Sequence, residues 1–227
     1  ISSRSDTEHQ NHMIRDERGK RISILRCAAI YGANAAGKSN LIEALGFARN
    51  LIVSGTKQDQ SLLITPFRLD EKKLQEPTRY QFLVKHESKL YDYGFAITAD
   101  RVIEEWLFVT EKTVEAKWFQ RTEHKKGRRS FNFGDKITKR RRERQQRLEF
   151  VAEGTRSNQL FLTEACDRNV EELQPLFRWF QYHLIIIPPS AVYGPLGIRA
   201  AGDREFTDFL GKHLKLADLG IEGIDST

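Results

Sequence analysis

The octapeptide GANAAGKS, Gly32 to Ser39, constrains this chain more than any other segment. It has the pattern G-x-x-x-x-G-K-S, and its flanks suit it. RISILRCAAIYG (21–32) is an apolar, β-branched run that reads as a buried strand ending at Gly32. KSNLIEALGFARNLIVSG (38–55) places Leu41, Ile42, Leu45, Phe47, Ala48, Leu51 and Ile52 on one broad helical face, with Gly55 as the stop. A strand feeding a glycine-rich loop that opens a helix is the arrangement a phosphate cradle needs. Backbone N–H groups from Ala33 to Asn40 turn inward and concentrate partial positive charge. Gly32 and Gly37 permit approaches that a Cβ would block. Ala33, Ala35 and Ala36 keep the loop tight around Asn34. The helix start adds unpaired N–H groups and the positive end of its dipole. Lys38 reaches the β- and γ-phosphates as the catalytic point charge, and the Ser39 hydroxyl ligates Mg²⁺. The expected ligand is ATP with Mg²⁺, held by Gly32, Ala33, Asn34, Ala35, Ala36, Gly37, Lys38, Ser39 and Asn40. Hydrolysis normally needs a further acid at the end of a buried strand. FAITAD ends in Asp100 but reads as a hairpin turn, and HLIIIPPS (183–190) ends in prolines.

Downstream the period changes. RYQFLVKH, LYDYGFAIT, RVIEEWLFV and VEAKWFQR, between 79 and 121, are short aromatic and β-branched runs with brief breaks. They predict four antiparallel strands in a meander, with Tyr80, Phe82 and Val84, then Tyr91, Tyr93 and Phe95, on a buried face. PFRLD (66–70) reads as a short extended piece. Residues 158–183 follow a helical pattern, with Asp167 or Asn169 as caps and Pro175 as an early-turn or kink residue. HLIIIPPS reads as a buried strand and 203–220 as an amphipathic helix ended by Gly220. The predicted class is α/β, a partial P-loop head with an antiparallel β subdomain and a helical basic insert. Its parts are a strand-loop-helix core over 1–60, the β subdomain over 61–122, the basic and helical insert over 123–182, and a return strand and helix over 183–227.

Charge is unevenly spread. The 227 residues carry a net +6, but 121–147 alone hold twelve Lys and Arg against three acids. Cations this dense repel one another without counter-ions. Arg128, Arg129, Lys139, Arg140, Arg141, Arg142 and Arg144 are therefore candidates for nonspecific DNA or RNA contact. An acidic protein partner or a solvated face are the other readings. Two cysteines, Cys27 and Cys166, cannot form a disulfide framework or a four-Cys zinc site. With no apolar run near bilayer length and no signal peptide, a cytoplasmic protein without membrane contact is expected. His9-x-x-His12 lacks matching Cys or acids and reads as surface. Trp106, Trp118 and Trp179 read as packing aromatics. The first residue is Ile1 and the only methionine is Met13, so a portion of a longer polypeptide is expected.

YGANAAGKSNLIEAL (31–45) resembles the nucleotide-binding loop of the ABC-type ATPases related to SMC, RecF and OLD proteins. Asn34 and the Asn40-Leu41 continuation carry that likeness. With PFRLD, YDYGFAITADRVIEEWLFV, NQLFLTEA, PLFRWF and LKLADLGIEGI in order, the chain resembles the OLD/RloA-like ATPases of bacterial abortive-infection and phage-defence loci. The resemblance implies a two-part ATPase head whose C-terminal half carries a signature loop and the strand-borne acids. Two such heads sandwich ATP, so it also implies a homo-oligomer and a toxin or nuclease effector. SMC-like heads place a Mg²⁺-contacting Gln at the end of the strand corresponding to HLIIIPPS. Here Pro188, Pro189 and Ser190 stand there, and Gln181 precedes the strand. Two other functions remain open: a DNA-repair or chromosome-organising head acting on DNA, and a nucleotide-sensing scaffold without turnover.

Overall fold

Alternation of side chains decides the largest element. In a computed structural model, which describes residues 12–15, 23–62, 76–124, 127–188, 191, 194–218, 220 and 223–224, five strands form one antiparallel sheet in sequence order. They are β3 (Thr78–His86), β4 (Lys89–Ile97), β5 (Val102–Glu111), β6 (Val114–Glu123) and β7 (Arg129–Phe133). The first four are those the alternation predicts. β7 is hidden in the sequence, because its residues RSFNF sit inside the basic run. β1 (Met13–Arg15) and β2 (Ser23–Leu25) make a separate antiparallel pair. The register skips a residue on β6, where Leu107 faces Phe119 but Phe108 faces Lys117, so Trp118 forms a bulge.

One face of the sheet is the core. Tyr80, Phe82 and Val84 point inward from β3, and Tyr91, Tyr93 and Phe95 do so from β4. Three helical pieces cover that face: α1 (Lys38–Ser54), α4 (Phe161–Asp167) and a π-helical turn over Trp179–His183. Phe180 meets Phe82 edge-on at 5.1 Å, and Phe119 meets Phe161 at 4.9 Å between ring centres. Each such side chain contributes roughly 1.5–3 kcal/mol by leaving water. The tryptophans pack as expected: Trp106 lies beneath Arg79, Trp118 against Tyr91, and Trp179 against Phe180.

The basic run continues from β7 into α2 (Asp135–Thr138) and α3 (Arg142–Gly154). Ile137, Leu148 and Val151 anchor these two helices in the core. The helical pattern over 158–183 is broken into pieces. Asn169 adopts a left-handed φ of 58° and ends α4's turn, where Val170 N–H donates to the Ala165 carbonyl. A 3₁₀ turn (Glu171–Leu173) and α5 (Gln174–Arg178) follow, with Pro175 in α5's first turn.

Two expected strands differ from the expectation. Among the described residues of the run 21–32 only Ser23–Leu25 join a ladder, and residues 27–32 belong to no helix or strand. Residues 184–188 of HLIIIPPS likewise lie outside any ladder, while Pro189 and Ser190 lie outside the described residues. A strand exists through its neighbours, and among the described residues no strand flanks either segment. PFRLD (66–70) also lies outside them.

The chain folds as two compact units, Ile1–Ile186 and Ile187–Thr227. The second contains α6 (Gly194–Gly202) and α7 (Arg204–Leu216). Asp203 caps α7 by accepting from Phe206 N–H at 3.0 Å, and Gly220 follows it with φ of 71°. Among the described residues no helix is long and apolar enough to cross a membrane.

Candidate functional site

The loop between residues 26–31 and α1 is shaped by local contacts. Ala36 N–H bonds the Ala33 carbonyl at 3.2 Å and closes a turn over Asn34 and Ala35. Ala35 and Gly37 both take left-handed φ, 65° and 85°. Gly37 is the residue immediately before α1, where a Cβ would be strained even though space surrounds it. A Cβ on Gly32 would press the Ala36 Cβ at 3.3 Å. Both glycines of the pattern therefore have a steric reason in this loop.

The helix start is electrically open. The first ladder bond of α1 runs from Leu41 N–H to the Gly37 carbonyl at 3.2 Å, leaving the N–H groups of Lys38, Ser39 and Asn40 ahead of it. No side chain caps this end, and its first turn contains no acid. An uncompensated helix N-terminus favours an anion. Lys38 folds back over the loop and donates from Nζ to the carbonyls of Gly32 (2.7 Å) and Ala33 (2.8 Å). The ammonium is thus held directly over the turn. Ala33 to Ala36, Ser39 and Asn40 are exposed, and Gly37 and Lys38 half-buried. The predicted residues form one continuous surface.

The far end of α1 fixes the loop to the core. Ala48, Leu51 and Ile52 are buried. Arg49 donates to the carbonyls of Phe180 at 3.0 Å and Gln181 at 2.7 Å. Thr163 Oγ1 donates to the Ile52 carbonyl at 2.8 Å. Gln181 is placed in this way beside α1 through its backbone.

A family model described as "AAA domain, putative AbiEii toxin, Type IV TA system" matches residues 27–162. The chain belongs to this AAA family. No curated protein and no solved structure matches the chain. AAA domains are P-loop nucleotide-binding ATPases. The AAA match opens in the segment before the loop, takes in Gly32–Asn40 and all of α1, and closes at the start of α4.

Other candidates fall in varied places within this AAA chain. Asp100 sits in the turn between β4 and β5, bonded to Thr98 Oγ1 and Arg101, which hold its carboxyl below the usual range. His9 lies outside the described residues, and among those described no three metal-ligating side chains cluster. Cys27 is exposed, against an expectation of burial, because its extended segment has no neighbour strand there. Most of the basic candidates are engaged. Arg129 donates to the Thr155 carbonyl, Lys139 and Arg144 share Glu172, and Arg140 pairs with Asp135. Arg128, Arg141 and Arg142 are exposed.

A buried polar hub is hard to see in the sequence. Glu105 and Arg121 face each other across β5 and β6, and both are fully buried. Glu105 accepts from Tyr93 Oη at 3.0 Å and from the N–H groups of Phe161 (2.6 Å) and Leu162 (2.9 Å), capping α4. Burial raises its pKa, while Arg121 and these donors oppose the rise. Arg121 donates to the carbonyls of Gln159 at 2.5 Å and of Arg156 and Ser157, each at 3.1 Å. The only advance signal is a Glu and an Arg at inward positions of an otherwise apolar strand pattern.

Proposed function

We propose that this chain is the ATP-binding part of an ABC-type ATPase head, of the OLD/RloA-like class, in a bacterial anti-phage or abortive-infection system. One observation carries the ATP site. An uncapped, acid-free helix start follows a left-handed Gly37, with the Lys38 ammonium held over the same turn. That donor set suits a polyphosphate. The triphosphate lies on Gly32–Asn40, Lys38 takes the β- and γ-phosphate charge, and the Ser39 hydroxyl joins the Mg²⁺ shell. Ser39 stands exposed at the second position of α1, which fits that role.

Turnover in this reading needs a second head. Ile30 and Tyr31, 60% and 90% exposed, precede the loop, and Leu41 and Ile42, 45% and 43% exposed, follow it. Apolar side chains on both flanks of a phosphate loop support its being covered by another protein surface. The family description, with its AbiEii toxin and type IV toxin–antitoxin wording, supports a role in restraining or releasing a toxic effector. A DNA-repair head would also use the loop, and a scaffold would bind ATP without turnover.

The Mg²⁺ assignment is tested by titrating ATP into wild type and Ser39→Ala, with Mg²⁺ and with chelator. Wild-type affinity should fall on chelation, whereas the variant should bind about equally weakly in both. A variant that keeps the full Mg²⁺ dependence contradicts the assignment. Single-turnover hydrolysis by the full-length protein separates an ATPase from a sensing scaffold.

A further inference from the structure

The basic run can be sorted by what each cation touches. Arg121 is buried in the sheet hub, and Arg129 is bonded to the Thr155 carbonyl. Arg147 donates to the carbonyls of Arg168 and Asn169, both at 3.2 Å, while Lys139 and Arg144 neutralise Glu172. These cations hold the fold together. Three that remain are consecutive: Arg140, Arg141 and Arg142, at the corner where α2 turns into α3. The side chains of Arg141 and Arg142 are exposed and have no hydrogen-bond or ion-pair partner among the described residues. Arg140 pairs with Asp135, but the two side chains are 81% and 73% exposed, so water and salt compete for that contact.

The corner is also costly to keep. Lys139 and Arg140 both hold left-handed φ, 50° and 53°, where glycine would sit without strain. Arg141 and Arg142 crowd the positive end of α3, where the helix dipole repels them. Folding alone would favour Gly at 140 and an acid or Ser at 141 or 142. An approaching polyanion offsets the repulsion at the helix start.

We propose that Arg140, Arg141 and Arg142 form a docking surface for the phosphate backbone of a nucleic-acid duplex. A duplex offers about one charge per 1.7 Å of its length, so three adjacent guanidinium groups can meet phosphates without ordering a flexible strand. Single-strand binding relies on aromatic platforms, and the corner has none. The exposed aromatic on α3 is Phe150, two turns away and beside Arg168. Glu143 lies within the first turn of α3, and Glu149 and Glu153 further along it limit the footprint to the corner itself. The contact is therefore to backbone and independent of sequence. It is narrower than twelve cations would imply, and it does not depend on the ATP assignment.

Anisotropy of labelled DNA and RNA duplexes, each about 25 base pairs and titrated with the full chain, tests the surface. Three phosphate contacts predict a log–log salt slope near −2.7, or about 40-fold weaker binding from 50 to 200 mM salt. Two unrelated sequences should give the same slope. R140A/R141A/R142A should flatten it, while R204A/K212A/K215A, with the same charge loss on α7, should leave it unchanged. R140G guards against misfolding: its melting temperature should hold or rise while the slope shortens by about one phosphate. Failure of the wild type to bind at 50 mM salt would overturn the proposal. So would equal loss in both triple variants, an R140G variant that binds as wild type, or tighter binding of polyglutamate than of duplex. Preference for the DNA or the RNA arm assigns the source of the phosphates.

Discussion

Glu105 shows how one side chain ties three elements together. Its carboxylate takes a hydroxyl from β4 and two N–H groups from the start of α4, opposite Arg121 on β6. Arg121 in turn holds the carbonyls of residues 156, 157 and 159, which lead into α4. Glu105→Ala would remove the charge facing a buried guanidinium, leave the Tyr93 hydroxyl without its acceptor and uncap a helix at once. Each buried donor left without its acceptor costs about 1–3 kcal/mol. Urea unfolding of the variant should show a loss of about 2 kcal/mol or more, and a loss under about 1 kcal/mol would mean that these donors do not depend on Glu105. This hub is illegible in the sequence because its partners lie far apart, 56 residues from Glu105 to Phe161. The phosphate loop is legible because Gly32, Gly37, Lys38 and Ser39 act within one turn of each other.

Elements depend on neighbours to different degrees. The meander is readable strand by strand, since short turns such as Glu87-Ser88, both at positive φ, set its pairing locally. The segments 26–31 and 184–188 have strand-like sequences, yet pairing is a long-range property that no apolar run carries by itself. The 158–183 helix breaks at Asn169, a residue type that tolerates left-handed φ. The 3₁₀ turn over Glu171–Leu173 joins the basic helices to the core through Glu172, which lies 3.0 Å from Lys139 and also bonds Arg144. Burial pushes the Glu172 pKa up, but these cations and its backbone bond outweigh burial and hold it below the ordinary value. The native state therefore binds this proton more weakly than the unfolded chain. Its stabilisation is present above the unfolded pKa of about 4.3 and fades as pH falls below it. Thermal melts from about pH 6 to pH 3 should fall less steeply for Glu172→Gln than for wild type. Parallel curves would show that Glu172 carries none of the acid sensitivity.

At the scale of the molecule, the basic balance of +6 has two origins. Arg121, Arg129, Lys139, Arg144 and Arg147 are structural, while the corner at Arg140–Arg142 is open. Counting charge along the chain could not separate them, because the separation depends on Glu172 and on carbonyls at 155–159 and 168–169. The AAA match and the loop geometry agree on a nucleotide-binding chain, and the central claim rests on Lys38. Lys38 contributes no buried contact to the core, so its removal should leave the fold intact. Calorimetric titration of ATP with Mg²⁺ into wild type and Lys38→Ala, both shown folded by circular dichroism, is the most direct test. The account predicts saturable binding by the wild type and no measurable binding by the variant. Unchanged ATP affinity in folded Lys38→Ala would contradict it.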